Sequence, residues 1–320
     1  ERYAAADRRI RLIRSGKKSY GYQINLGMDL ARGEYLGIVE TDDCIGPHMY
    51  EVLYKAAADN ALDYVKSGFY TMVTPYEGER YLLEHPLGDT EQIISSRYFL
   101  ERNLSPDVYI WNGIYKMSFL REFHVRMNES PGAAFQDCGF RYLTDMNLRR
   151  GMFLKDLFYR YRRDNAAAST YNPRFAEFNL AECRYLRGKM QEHDITDRDR
   201  RAFMARETVM MALSPYTTFR EHSLPNEEVL EALEEFRKII LGDRQQGLLR
   251  QEEMLPMHWV EMRLFTEQPE AYEAYIGIKA KADYDLYNHF VREMAGKKQI
   301  VLFCTGKTAQ FALCLLRMNG

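Results

Sequence analysis

Three carboxylates stand where an apolar run ends. In "GEYLGIVETDDCIGP", residues 33–47, the run 35–39 closes on Glu40, Asp42 and Asp43. Like charges repel, so three acids where a strand meets a loop mark either a solvated strand end or a site for a divalent cation. In open α/β sheets, ligands bind beyond the carboxyl ends of the strands. Hard oxygen ligands with open positions there suit Mg2+ or Mn2+ shared with substrate phosphates. A further acid, Asp137, falls at an expected helix start, where the helix dipole favours the ionised form. His48 and His85 stand alone and read as surface groups.

Those acids need elements to hold them, and the surrounding pattern supplies an α/β order. Residues 1–8 read as helix and 10–13 as a short strand. Ile24, Met28 and Ala31 share one helical face, Gly33 suits the position just past that helix, and 35–39 reads as a buried strand. Pro47 suits the first turn of a helix whose inner face is Met49, Val52, Leu53 and Ala56. "LDYVKSGFY" reads as strand, 71–90 as hairpin or loop, and 93–102 as helix. "VYIWNGIYKMSFLREF" reads as a strand entering a helix. Residues 137–150 read as helix with Phe140, Leu143 and Leu148 inward, and "MFLKDLFYRYRRD" as a further strand. This alternation predicts an α/β layered domain with a largely parallel sheet. "NAAASTYNP" reads as a linker. Charged helical patterns then fill 175–295, with Val229, Leu230, Leu233, Phe236 and Ile239 as one apolar face.

Composition narrows the class. With 46% apolar and 28% charged residues the 320-residue chain reads as globular, and a net charge of -2 argues against nucleic acid as a partner. The five cysteines, Cys44, Cys138, Cys183, Cys304 and Cys314, are scattered without CxxC spacing. Neither a disulfide framework nor a zinc site follows, and a reducing cytoplasm fits best. No apolar run approaches the roughly 18 residues of a membrane span, and no signal-peptide pattern is present.

The block "NLGMDLARGEYLGIVETDDCIGPHMYEVLY" resembles the central block of family 2 glycosyltransferases. Asn25, Gly27, Ala31, Gly33, Glu34, Tyr35, Glu40, Asp42, Asp43, Ile45 and Pro47 carry the likeness. Two positions depart from the family pattern: Glu40 stands for an Asp, and Ile24 for a frequent Arg. A second block, "PGAAFQDCGFRYLTDMNLRRGMFLKDLFYRYRRDNAAAST", resembles the family's catalytic-base segment through Asp137, Gly139, Phe140, Tyr159, Tyr161 and Arg162, with Gln136 in place of Glu. "IWNGIYKMSFL", with Trp111 and Asn112, is similar to its acceptor-side segment.

The resemblance implies a GT-A-like, Rossmann-like layered mixed sheet flanked by helices over residues 1–170. A helical region would cover 171–297. Residues 298–320 would begin a truncated Rossmann-like unit, with Cys304, Gly306 and Ala309 at its fingerprint positions. "GKT" at 306–308 is no P-loop, because Val301 stands where the first glycine is required. Both ends read as cut, and the family's first strand would lie before Glu1.

It also implies an inverting, metal-dependent hexosyltransferase-like enzyme of bacterial surface polysaccharide synthesis. A nucleotide-diphosphate sugar, specifically a UDP-sugar, would donate to a hydroxyl of a glycan or lipid-linked acceptor. Asp42 and Glu40 would serve Mg2+ or Mn2+, and Asn25, Glu40, Asp42 and Arg162 the nucleotide side. Asp137 would be the base, and Trp111 and Asn112 would face the acceptor. The implied location is the cytoplasm, with peripheral contact at the inner face of the membrane left open by the amphipathic helices after residue 175. Two alternatives remain: a non-catalytic relative that binds sugar nucleotide or glycan, and a sugar nucleotidyltransferase.

Overall fold

The computed structural model describes residues 2–76, 79–102, 107–163, 174–219 and 227–276. A short helix α1 (Arg2–Ala6) leads into an extended stretch rather than the expected strand at 10–13. Ile10, Leu12 and Ile13 there are 46%, 57% and 46% exposed. They join no sheet among the described residues, so their apolar pattern has no strand to pair with.

Ser19 caps α2 (Tyr20–Leu30), its hydroxyl accepting from the Tyr22 amide at 3.2 Å. Met28 is buried, and Ile24 and Ala31 pack against the same cluster. Ala31 is already extended, and Gly33 has no left-handed φ, so the helix ends without a glycine cap. Gly21 in the first turn allows a close approach: a Cβ there would lie 1.9 Å from the Asn128 carbonyl oxygen. Gly21→Ala should therefore lose about 1–3 kcal/mol in urea unfolding. An unchanged midpoint would show that this contact is loose.

The next strand, β1 (Tyr35–Gly37), is an edge and not a buried strand. A two-residue β2 (Cys44–Ile45) and α3 (Met49–Asp59) follow. Met49, Leu53 and Ala57 line the inner face of α3, with Val52 and Ala56 beside them. The long β3 (Tyr64–Tyr76) turns back as β4 (Glu79–His85), confirming the hairpin. Short α4 (Ser96–Leu100), β5 (Gly113–Lys116) and α5 (Met117–Glu122) lead to α6 (Gln136–Asn147) and β6 (Gly151–Arg162). The strand order is β1-β5-β3-β6-β2, with β4 on β3. β3 and β6 run parallel, while the other described pairs are antiparallel. The sheet is thus mixed, as the resemblance implies, and not largely parallel.

Asp63 aligns the two parallel strands. Its carboxylate accepts from the amides of Arg149 and Arg150 at 3.0 and 3.1 Å, just before β6 begins. Further along, register shifts between Ser67 and Phe69 leave extra residues on β6. Such bulges re-aim side chains, and here Tyr159 comes opposite Phe69.

One face of the sheet packs on α3 through Val65, Ile114 and Tyr159. The other carries Tyr64, Tyr115 and Phe153 into a cluster shared with α6 and the later helices. Those are α7 (Phe175–Glu192), α8 (Arg198–Phe219), α9 (Glu227–Gln245) and α10 (Pro256–Glu267). In α9, Val229, Leu233, Phe236 and Ile240 are buried at helical spacing, while Leu230 is 50% exposed. Among the described residues no helix is long and apolar enough to cross a membrane. The segment "NAAASTYNP" and the "CTGKTAQ" tail lie outside the described residues.

Candidate active site

The acidic loop after β1 is sewn to the end of β6. The Tyr159 hydroxyl accepts from the Glu40 amide at 3.0 Å and donates to Asp43 Oδ2 at 2.7 Å. Asp43 Oδ1 accepts from the Arg162 amide at 2.7 Å. Pairing of Cys44 with Arg160 and of Ile45 with Tyr159 continues the seam. Both oxygens of Asp43 therefore serve the frame, and His48, not Asp43, precedes α3 as its cap residue. Glu40 Oε1 accepts from the Tyr20 hydroxyl at 2.5 Å, which fixes this carboxylate against the start of α2.

Asp137 comes from the opposite side, in the first turn of α6. The loop before it is tied to α2. The Tyr20 amide donates to the Gly132 carbonyl at 2.8 Å, and the Gly132 amide to the Lys18 carbonyl at 2.9 Å. Gln136 is buried, its Oε1 accepting from the Ala134 amide at 2.7 Å and its Nε2 donating to Ser130 Oγ at 3.0 Å. Phe135 holds a left-handed φ of 65° immediately before the helix. A bulky residue in that region stores strain, and such strain gathers at functional sites.

Glu40, Asp42, Asp43, Asp137, Arg162 and Trp111 all line one cavity of about 190 Å³, with Tyr20, Phe135, Gln136 and Tyr161 among its other walls. Asn25 and Asn112 lie elsewhere. Asn25 is buried, exchanging hydrogen bonds of 2.9 Å with the backbone of Met127. Asn112, also buried, donates to the Ser67 carbonyl and to Asp107 Oδ2, both at 2.9 Å. Asp107 in turn pairs with buried Lys66 at 3.2 Å. This charged knot sits behind an aromatic shelf. Trp111 stacks between Tyr109 and Tyr159, with ring centroids 4.6 and 4.0 Å away. Trp111 is only 5% exposed, so an edge rather than a face meets the cavity. His85 is no free surface group: its ring stacks on Phe69 at 4.5 Å.

Tyr20 and Phe135 are among the lining residues that sequence reasoning missed, with Ala133 and Ala134. Tyr20 follows a capping serine, but nothing local aims it at Glu40. "PGAAF" announces a turn, not a left-handed phenylalanine.

The cavity is acidic. Burial raises the Glu40 carboxyl above its usual range; the Tyr20 hydrogen bond opposes this, and Asp137, Asp43 and Asp42 add to it. Burial likewise raises Asp43 and Asp137. Crowded, partly desolvated carboxylates favour a bound cation. Among the described residues no group of three or more His, Cys, Asp or Glu side chains could by itself hold a metal ion. Asp42 and Glu40 are hard oxygen donors in the lining, a pair suited to Mg2+ or Mn2+ when a ligand's oxygens complete the shell.

The family model described as glycosyl transferase family 2 matches residues 1–125. The uncharacterized glycosyltransferase EpsJ of Bacillus subtilis is 27% identical over 172 residues, 51% of this chain and 48% of that protein. The putative glycosyltransferase EpsH of the same organism is 24% identical over 186 residues, 57% and 53% of the two chains. The chain thus spans about half the length of these curated relatives. Crystal structures of S. aureus TarS 1–349 match with a TM-score of 0.56 at 14% identity, over 86% of this chain and 73% of that one. The form solved with UDP-GlcNAc gives a TM-score of 0.57. The likeness to family 2 glycosyltransferases and the GT-A-like fold therefore both hold.

Proposed function

We propose that this chain transfers a sugar from a UDP-sugar to a hydroxyl of a glycan or lipid-linked acceptor, with inversion, in bacterial surface polysaccharide synthesis. The observation that carries this reading is the meeting of Asp42, Glu40 and Asp137, from two distant segments, in one cavity that Arg162 and Trp111 also line. TarS, which shares the fold, has been solved with UDP and with UDP-GlcNAc, which makes these the first probes. The proposed location is the cytoplasm, at the inner membrane face where an acceptor is lipid-linked.

Asp42 would hold Mg2+ or Mn2+, with Glu40 beside it. The cation, when bound, supplies charge stabilisation to the departing diphosphate. Arg162 offers a guanidinium suited to phosphate. Asp137 takes the proton of the acceptor hydroxyl as its oxygen attacks the anomeric carbon. The bond from that carbon to the diphosphate oxygen breaks on the opposite side, and one displacement inverts the configuration. The Trp111 edge and Tyr161 shape the acceptor side and exclude water.

Calorimetric titration of UDP with and without Mn2+, on wild type and Asp42→Asn, tests the nucleotide half. Binding that requires Mn2+ and weakens about tenfold or more in the variant is expected. No binding by the folded wild type would sink the reading. The departures at Glu40 and Gln136 favour one rival, a non-catalytic binder. It predicts UDP binding without turnover of any UDP-sugar, unaffected by Asp137→Asn.

A further inference from the structure

Glu40 is held at its two ends by two different parts of the molecule. Its amide donates to the Tyr159 hydroxyl of β6 at 3.0 Å. Its side-chain Oε1 accepts from the Tyr20 hydroxyl of α2 at 2.5 Å. Both Tyr20 and Glu40 line the candidate active-site cavity. A hydrogen bond of that length to a carboxylate is among the stronger kind. It occupies Oε1 and leaves Oε2 as the freer acceptor for a ligand.

The helix from which Tyr20 reaches is itself pinned to residues 127–132, the segment that leads to Asp137. The Tyr20 amide donates to the Gly132 carbonyl at 2.8 Å. Asn25 exchanges two hydrogen bonds of 2.9 Å with the backbone of Met127. Gly21 lies so close to the Asn128 carbonyl that a Cβ would fall 1.9 Å from its oxygen. On the other side of the cavity, Tyr159 donates to Asp43 at 2.7 Å and β2 pairs with β6. The hydrogen bond from Tyr20 to Glu40 therefore joins the acidic loop to the segment that delivers Asp137.

Side-chain length decides whether the two can meet. Aspartate at position 40 would withdraw the carboxylate by up to about 1.5 Å, one carbon–carbon bond. That opens the contact past the ~3.0 Å limit of an O–H···O hydrogen bond. The glutamate that departs from the family 2 pattern thus has a structural counterpart in Tyr20. We propose that Tyr20 is a positioning residue of the candidate site. Its hydroxyl fixes the Glu40 carboxylate for the metal and diphosphate side of the donor, and this chain requires glutamate at 40 because Tyr20 holds it. This rests on the reading of the cavity as a UDP-sugar site. The two residues act as a matched pair, so losing both ends costs no more than losing one.

The test is calorimetric titration of UDP with Mn2+ into the full chain as wild type, Tyr20→Phe, Glu40→Asp and Tyr20→Phe/Glu40→Asp. Tyr20→Phe keeps the ring and deletes the hydroxyl. Glu40→Asp keeps the charge and restores the family residue, so it separates reach from charge. Each single variant should bind about fivefold or more weakly, and the double variant about as weakly as either. A tyrosine that only props the fold would lower the melting temperature and leave the affinity of the folded protein where it was. Should one single variant not fold, the affinity of the other still decides. Affinity within about twofold of wild type in a single variant, or losses that multiply in the double one, overturn this inference alone. Absence of UDP binding by the folded wild type would overturn the donor-site reading and this inference with it.

Discussion

On the proposed role of Asp137 as base, Asp137→Asn is expected to lower turnover of a UDP-sugar donor by about 10²–10⁴-fold and at the same time to raise the melting temperature at pH 7. The first effect follows from chemistry: an amide cannot take the acceptor's proton. The second follows from the site. Burial holds the folded Asp137 carboxyl above its ordinary value of 3.8. The folded protein therefore binds this proton more tightly than the unfolded chain does. Stability from this group is full below 3.8 and is lost as pH rises through the folded value. At pH 7 the carboxyl gives less stability than it does in acid, a loss that asparagine avoids. A rise in melting temperature is expected, with UDP affinity nearly unchanged. Scanning calorimetry and a donor-turnover assay on one preparation check both. Activity near wild type would remove Asp137 from the mechanism; a lower melting temperature would mean that its carboxylate is held by hydrogen bonds stronger than its desolvation.

Glu182→Gln is expected to give the largest pH-dependent change in stability. Glu182 sits on α7, 1% exposed, and its Oε1 has no hydrogen-bond partner. It presses on Gly139 of α6, where a Cβ would fall 2.0 Å from that oxygen. Burial, with Asp137 adding and Asn128 opposing, pushes its carboxyl from 4.5 to about 8. The wild type therefore loses stability as pH climbs from 4.5 to about 8, and this contribution levels off above. The variant should match wild type near pH 4.5 and outlast it increasingly up to pH 8. The difference there is a few kcal/mol at most by linkage, on the order of 5 °C. Thermal melts at half-unit pH steps read it directly. Parallel curves across that range would show that Glu182 ionises as readily folded as unfolded.

Much of the fold was legible because it depends on local periodicity. Met49, Leu53 and Ala57 sit one helical turn apart, and that spacing alone places α3 against the sheet. The hairpin at 71–90 and the later helices were readable for the same reason. The stretch 10–13 failed because β-branched residues make a strand only where an edge accepts them. The run at 35–39 failed in degree: an apolar run does not say whether one neighbour pairs with it or two. Antiparallel pairing of β5 between β1 and β3 likewise has no local signature.

The sequence by itself determined the components of the site: an acidic loop after an apolar run, an acid at a helix start, and a tyrosine-rich strand ending in Arg162. Motif spacing carries that information, and with it the likeness to family 2 glycosyltransferases. Only the tertiary structure shows how these acids are held: Asp42 and Asp43 both line the cavity, and Asp43 has both oxygens bound, to the Tyr159 hydroxyl and the Arg162 amide. Tyr20 on Glu40 and the left-handed Phe135 are equally invisible along the chain. The reason is common to all of them. Each depends on contacts between distant segments or on a backbone angle those contacts impose, and burial then sets the charge of the acids so placed.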